Sequence, residues 1–315
     1  MHVRHTTIAL LAFALAVGCG REKAPAPAAA ADSAAPAPAA MPDKVEGFKH
    51  PESARYDAEL DVWYVSNING DPSAKDGNGY ISRLKGDGSP DSMEFIVGGK
   101  DSVTLNGPKG MAIVGDTLWV ADIDVIRGFN RKTGAPVASV SLEGKAKFLN
   151  DVGVGPDGVY ITDSGFGSDG KGGMAHPGPD QIFKLSGHTA TLALKSPALA
   201  APNGIAWDSA GRRFLVGPFA GKTVQAWTPG SSRLSPVADT PGQVDGVEVL
   251  GQDRVLLTSW TDSTLDILQG GTLTPVGGKL PSPADIGVDT KRGRVAIPLL
   301  MEDRVEFRAI PQATP

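Results

Sequence analysis

Short apolar segments separated by turn residues recur along the chain from about residue 43 onward. These segments form six repeats. In each repeat, a short apolar strand is followed by a turn containing Asp, Gly or Asn and then by two more strands. The six opening segments are PESARYD at Pro51, PKGMAIV at Pro108, LNDVGVG at Leu149, PNGIAWD at Pro202, VDGVEVL at Val244 and PADIGVD at Pro283. Their second residues stand at positions 52, 109, 150, 203, 245 and 284, so the spacings are 57, 41, 53, 42 and 39 residues.

Three of these spacings are typical of a propeller blade of about 40–45 residues. The two longer ones contain Gly-rich insertions at 68–79 and 165–179. We therefore predict an all-β, six-bladed β-propeller over residues 43–315. A β-sandwich would have similar strands but not six units in one phase. Residues 44–48 are expected to supply the outer strand of the last blade, and the tryptophans in predicted strands are expected to pack the blades: Trp63, Trp119, Trp207, Trp227 and Trp260.

The first 42 residues predict an exported lipoprotein. Residues 1–18 combine Arg4 with an apolar stretch that is too short to span a bilayer, which is typical of a signal peptide. Small residues directly precede Cys19, the only cysteine, and resemble a lipobox, so Cys19 is predicted to be acylated. An ordinary cleaved signal with a chance cysteine is the alternative. Residues 19–42 form an Ala/Pro-rich linker, and Gly20 favours the outer membrane, with the body in the periplasm or on the cell surface.

Composition narrows the remaining function classes. The 40 glycines and 25 prolines exclude a helical bundle, and a single cysteine excludes an intrachain disulfide and Cys-based metal sites. A net charge of −5 gives no basic surplus for nucleic acid. We expect a monomer that contacts the membrane only through its lipid.

Propeller geometry brings the second residue of each opening to the axis, because the first strand of each blade lines the central channel. Two carboxylates and two carboxamides meeting there suit a hard divalent cation, and Ca²⁺ fits better than zinc because the set has no His or Cys. The alternative is that these residues only form turns. Lys109 could offset the carboxylates of Glu52 and Asp245, or it could bind an anionic group of a substrate. The set consists of Glu52, Lys109, Asn150, Asn203, Asp245 and Ala284.

At these residues the sequence resembles the gluconolactonase/regucalcin (senescence marker protein) family of six-bladed propellers. The matching motifs lie in order in four blades: Pro51-Glu52-Ser53, Asn150-Asp151, Pro202-Asn203-Gly204 and Asp245-Gly246. The resemblance implies a divalent metal held by Glu52, Asn203 and Asp245, with Asn150 facing metal or substrate. It also implies lactone hydrolysis in which Asp245 is a candidate general base. Sugar-lactonase members commonly carry Arg two residues before the Asn, where this chain has Phe148.

Two function hypotheses follow. The first is an exported, metal-dependent hydrolase of lactone or ester type, in which Asn150, Lys109 and His176 contact the substrate. His176 lies in the second insertion and is expected at the mouth of the channel, either facing the substrate or exposed in a flexible loop. The second hypothesis is a non-catalytic propeller that binds a protein, peptide or glycan and has a structural metal or none.

Overall fold

The computed structural model describes residues 42–171 and 173–312, so the signal peptide, Cys19 and the linker up to residue 41 lie outside the described residues. Within them, six four-stranded antiparallel sheets follow one another along the chain. This arrangement confirms the all-β, six-bladed propeller. No helix in these two ranges has the length and hydropathy needed to cross a bilayer.

Each blade runs outward from the axis in chain order, except the last. Blades 1 and 2 contain Pro51–Asp57, Val62–Asn67, Tyr80–Lys85, Pro90–Val97, and Pro108–Val114, Thr117–Asp122, Val125–Asn130, Pro136–Ser141. Blades 3 and 4 contain Leu149–Gly155, Gly158–Asp163, Gln181–Ser186, Thr189–Lys195, and Pro202–Asp208, Arg213–Pro218, Thr223–Trp227, Leu234–Asp239. Blades 5 and 6 contain Val244–Gly251, Arg254–Ser259, Thr264–Gln269, Thr272–Pro275, and Gly287–Asp289, Arg294–Leu299, Arg304–Ala309, Lys44–Glu46.

The N-terminal strand closes the ring. Lys44–Glu46 pairs antiparallel with Arg304–Ala309, with Val45 opposite Val305, and so supplies the outer strand of blade 6. Phe48, which follows it, is fully buried in a cluster shared by blades 6 and 1. The first and last parts of the propeller are therefore held together by backbone hydrogen bonds and by apolar packing.

The apolar core lies between neighbouring blades rather than at the axis. Trp63 of blade 1 packs edge-to-face against Phe307 of blade 6 at a centroid distance of 5.4 Å, and Trp227 of blade 4 packs edge-to-face against Tyr160 of blade 3 at 5.5 Å. Both tryptophans are buried, as the sequence predicted. Outside the blades the chain forms a two-stranded ribbon, Gly167–Ser168 with Met174–Ala175, and two short 3₁₀ turns, Pro197–Leu199 and Leu300–Glu302.

Candidate functional site

A β-bulge interrupts the innermost strand of five blades close to the axis. In blades 1 to 5 the pairing between the first and second strands shifts register directly after the first residue of the strand. A bulge leaves the extra residue outside the ladder and turns its side chain in a new direction. We call the residues at this position the axial ring: Glu52, Lys109, Asn150, Asn203 and Asp245.

Glycine follows the ring residue in three blades, because neighbouring strands leave no room for a side chain. A Cβ on Gly204 would lie 2.3 Å from the carbonyl oxygen of Asp245, and one on Gly110 would lie 2.3 Å from Oδ1 of Asp151. Gly246 is similarly crowded, and all three glycines have φ values outside the left-handed region. The Asn-Gly and Asp-Gly pairs therefore mark a close approach of strands at the axis.

Carboxylates at the ends of second strands hold the loops that lead into the ring. Oδ1 of Asp122 accepts hydrogen bonds from the backbone N–H groups of Asn106 and Gly107, at 3.0 and 2.9 Å. Oδ1 of Asp163 accepts one from the N–H of Phe148 at 2.9 Å. These loops run directly into the first strands of blades 2 and 3, so the two aspartates fix where those strands begin.

All five ring residues line one cavity of about 420 Å³. Their exposed fractions run from 1% for Lys109 to 5% for Glu52. The convergence that the repeat predicts is therefore present. Blade 6 has Ala284 at the equivalent position, and it does not line the cavity. The two insertions also reach the cavity, through Ile68, Gly70 and Pro72 and through Phe166 and Met174.

Four ring side chains each hold a buried oxygen atom that has no hydrogen-bond partner within the described part of the chain. The side-chain amide N–H of Asn150 donates to Oγ of Ser164 at 2.9 Å, which leaves its Oδ1 free. The indole N–H of Trp260 donates to Oδ2 of Asp245 at 2.9 Å, which leaves Oδ1 free. The four unpaired oxygens are Glu52 Oε2, Asn150 Oδ1, Asn203 Oδ1 and Asp245 Oδ1.

Burial makes the charged forms of the ring carboxylates costly. It raises the pKa of Asp245 to about 8, with a further contribution from the charge of Asp151, while the hydrogen bond from Trp260 and the neighbouring side chain of Asn203 act in the opposite direction. Burial also raises the pKa of Glu52 well above its ordinary value, and the charge of Asp245 adds to this shift. A cation placed between the two carboxylates would offset both effects.

Lys109 does not neutralise these carboxylates through an ion pair. Its Nζ donates to the carbonyl oxygens of Gly107 and Pro72, at 2.9 and 3.1 Å, and lies 4.2 Å from the centre of the Phe148 ring. Burial lowers the pKa of Lys109 to about 8, although the charge of Glu52 raises it. The ammonium of Lys109, in blade 2, is therefore held by two carbonyl dipoles and by the face of the Phe148 ring.

The four oxygens fit a hard divalent cation. Two carboxylates and two carboxamides are donors that Ca²⁺ accepts, and a coordination number of about 6–8 leaves places for water or substrate. Unpaired buried polar atoms are costly unless a partner satisfies them. In the described ranges no three His, Cys, Asp or Glu side chains converge on one point, so a cation here depends on the two amide oxygens.

His176 does not line this cavity. Its Nε2 lies 2.7 Å from Oδ1 of Asp180, and its ring lies 5.2 Å from that of Phe166, which does line it. Another histidine, His50, does line the cavity, and its Nδ1 is buried without a partner among the described residues. In the sequence, only its position two residues before Glu52 indicates that His50 could lie near the axial ring.

A second polar layer follows the ring. Oδ2 of Asp285 accepts a hydrogen bond of 2.6 Å from Oγ of Ser53 and lies 3.5 Å from Nη2 of Arg55, which also pairs with Glu248. The carboxylate of Asp151 accepts hydrogen bonds from backbone N–H groups of its own blade and of blade 4, including that of Ile205 at 2.8 Å. This layer joins blades 1, 3, 4, 5 and 6 beneath the ring.

The cavity wall contains aromatic residues that the sequence did not single out as functional. Trp260 follows the second strand of blade 5, lines the cavity and donates to Asp245, so the prediction that it packs the blades is wrong. Phe166 and Phe219 line the same wall from loops. Loop residues carry no strand periodicity, so nothing in the pattern of the chain identified them.

The comparisons with known proteins bear on the fold. No family model and no curated protein matches the chain. A crystal structure described as that of a "putative gluconolactonase" superimposes with a TM-score of 0.61 and 16% sequence identity, covering 85% of this chain and 92% of that chain. The chain therefore has the propeller fold of that gluconolactonase-type structure.

Proposed function

We propose that the protein is a metal-dependent hydrolase of lactone or ester type, with a divalent cation, Ca²⁺ in the first place, at the axial ring. One observation carries the proposal: four buried oxygens from four blades lack partners among the described residues and line the same cavity. The similarity in fold to a gluconolactonase-type structure supports the same class of reaction. The proposed ligands are Glu52, Asn203 and Asp245, with Asn150 beside them facing the cation or the substrate.

The remaining chemistry falls to the side chains of the ring. When bound, the cation would supply a Lewis acid for the carbonyl oxygen of the substrate. Asp245, besides holding the cation, would be the candidate general base for the attacking water, since it lines the cavity and Trp260 holds its Oδ2. Asn150 would orient the substrate through Oδ1, because Ser164 holds its amide nitrogen. Lys109, held opposite Asp245, would attract the carboxylate that hydrolysis releases.

Metal analysis and a hydrolysis assay test this proposal together. The protein is stripped with chelator, titrated with Ca²⁺ in a calorimeter and assayed on a panel of lactones and esters, alongside Asp245→Asn. We expect one site per chain and turnover that requires both the cation and Asp245. The absence of a stoichiometric divalent ion would refute the site. A bound ion without Asp245-dependent turnover would favour the non-catalytic propeller that binds a protein, peptide or glycan.

Export and lipid attachment are a separate proposal that rests on the sequence alone. We propose that the signal peptide of residues 1–18 is removed, that Cys19 is acylated and that the protein resides at the outer membrane. Intact-mass measurement of the mature protein tests this directly. The wild-type chain should carry the mass of the acyl groups, and Cys19→Ser should lose it, whereas an unacylated wild-type N-terminus would refute the proposal.

A further inference from the structure

The wall of the cavity differs in character from the axial ring. Four aromatic rings contact one another in sequence along it: Phe148 to Phe166 at 5.8 Å, Phe166 to Phe219 at 6.0 Å, and Phe219 to Trp260 at 5.7 Å. They come from the strand-leading loop of blade 3, its insertion, and loops of blades 4 and 5. We call Phe148, Phe166, Phe219 and Trp260 the aromatic arc.

The contacts within the arc hold the rings in defined orientations. All three pairs are edge-to-face, with interplanar angles of 81°, 88° and 75°. Edge-to-face packing is a favoured aromatic geometry. Phe148 is buried, whereas Phe166, Phe219 and Trp260 are only half-buried, so they present apolar surface to the cavity. The arc is therefore a preformed apolar surface rather than part of a blade core.

The polar groups at both ends of the arc already have partners. At one end, Lys109 lies over Phe148 and donates to two carbonyl oxygens. At the other end, the indole N–H of Trp260 is engaged by Asp245. Hydroxyls placed against the arc would lose water and find no free polar group on its four rings, which disfavours them at this part of the cavity.

Apolar side chains also extend to the rim. Met174 is 42% exposed and Met301 is 65% exposed, and both line the cavity together with Leu300. Methionine side chains adapt to apolar ligands of varied shape. The apolar character of the wall thus continues from the arc to the surrounding surface.

We propose that the aromatic arc is a binding subsite for the hydrocarbon or aryl group of the substrate. Resting on the proposed function, this assigns the substrate class as a lactone or ester with an apolar substituent, its carbonyl at the axial ring and its apolar part against the arc. The cavity volume of about 420 Å³ falls within the range of pockets for small organic ligands. We therefore expect polyhydroxylated sugar lactones to be poorer substrates than lactones with an apolar substituent.

Binding of inert probes tests the subsite without any requirement for turnover. N-butylbenzamide carries an aryl group, a carbonyl and an alkyl chain, whereas gluconate carries hydroxyls and a carboxylate. Both are titrated calorimetrically into the protein in the presence of Ca²⁺ and again in chelator. We expect N-butylbenzamide to bind under both conditions, with a negative heat-capacity change that marks apolar burial, and gluconate to bind at least about tenfold more weakly.

Matched phenylalanine variants show whether the arc is responsible. Phe219→Ala should weaken N-butylbenzamide about tenfold. Phe95→Ala removes the same atoms from a half-buried ring of blade 1 that does not line the cavity, and should leave affinity unchanged. Phe166→Ala is the second test, since Phe166 lies in the insertion outside the blade sheets, and it should also weaken binding.

The outcomes separate the subsite from the proposed reaction. Equal or tighter binding of gluconate, or unchanged affinity in both Phe219→Ala and Phe166→Ala, would overturn the subsite. Arc-dependent binding together with no hydrolysis of any lactone or ester would support the subsite and refute the hydrolase. Hydrolysis of a sugar lactone in preference to an alkyl or aryl lactone would support the hydrolase and overturn the substrate class.

Discussion

Replacing Asp245 by asparagine should make the metal-free protein less sensitive to pH. Burial raises the pKa of Asp245 to about 8, whereas an aspartate in an unfolded chain titrates near ~3.9. Between these values the folded state keeps a proton that the unfolded state has lost, so the free energy of unfolding falls as the pH rises. Asparagine has nearly the same shape, can still accept the N–H of Trp260 and does not titrate.

The size of the effect follows from the width of the pH interval. Each pH unit between the two pKa values corresponds to about 1.4 kcal/mol. From pH 5 to pH 7, wild type in chelator should lose about 3 kcal/mol relative to Asp245→Asn, or roughly 6 °C in Tm.

Thermal unfolding in chelator at pH 5, 6 and 7 measures this gap. Asp239→Asn, which removes an exposed carboxylate, is the matched control and should follow wild type. Adding Ca²⁺ at pH 7 should stabilise wild type but not Asp245→Asn, because the cation needs the ionised carboxylate. A gap that stays constant with pH would refute the argument from burial. A pH-dependent gap without any response to Ca²⁺ would refute the metal site alone.

Three further predictions follow from local geometry. Gly204→Ala should destabilise the fold by about 2 kcal/mol or more and weaken Ca²⁺ binding, since its Cβ would meet the carbonyl of Asp245 at 2.3 Å, whereas Gly278→Ala has open space and should leave unfolding and Ca²⁺ titration unchanged. Phe48→Ala should cost about 3–5 kcal/mol in denaturant unfolding, because Phe48 is fully buried where the ring closes; a loss below about 1 kcal/mol, closer to the effect of a surface substitution, would contradict this. Trp260→Phe keeps the aromatic ring but removes the hydrogen bond that lowers the pKa of Asp245, so calorimetry at pH 7 should show Ca²⁺ affinity reduced by about tenfold.

The blades could be predicted from the sequence because their signals are local. Alternating apolar residues and turn residues determine where a strand begins and ends, and the recurrence of one pattern places the same position of each blade at the axis. The closing strand Lys44–Glu46 followed from counting, since the last repeat lacked its fourth strand. The convergence of Glu52 and Asp245 on one cavity followed from the same register.

The cavity wall could not be predicted, because its residues come from loops that approach one another only in the folded chain. Phe166, Phe219 and Trp260 stand in three different loops, and no spacing relates them. The bulges that turn the ring side chains are equally hidden, since a bulge depends on how two strands pair. At the ring, the glycines were visible in the sequence, but their physical reason, the close approach of strands, was not.

The structure separates turn-forming aspartates from the ring residues by what their oxygens accept. Asp163 and Asp122 are the last residues of second strands, and their oxygens accept backbone N–H groups of the adjoining loops, as turn formers do. Asp245 and Asn150 are the second residues of first strands, and each keeps a buried oxygen without a hydrogen-bond partner among the described residues, while a side-chain hydrogen bond holds the other polar atom. In a residue that only forms a turn, that oxygen would accept a hydrogen bond from the backbone. The unpaired oxygens of the axial ring are therefore better explained by a ligand at the axis than by local turn geometry.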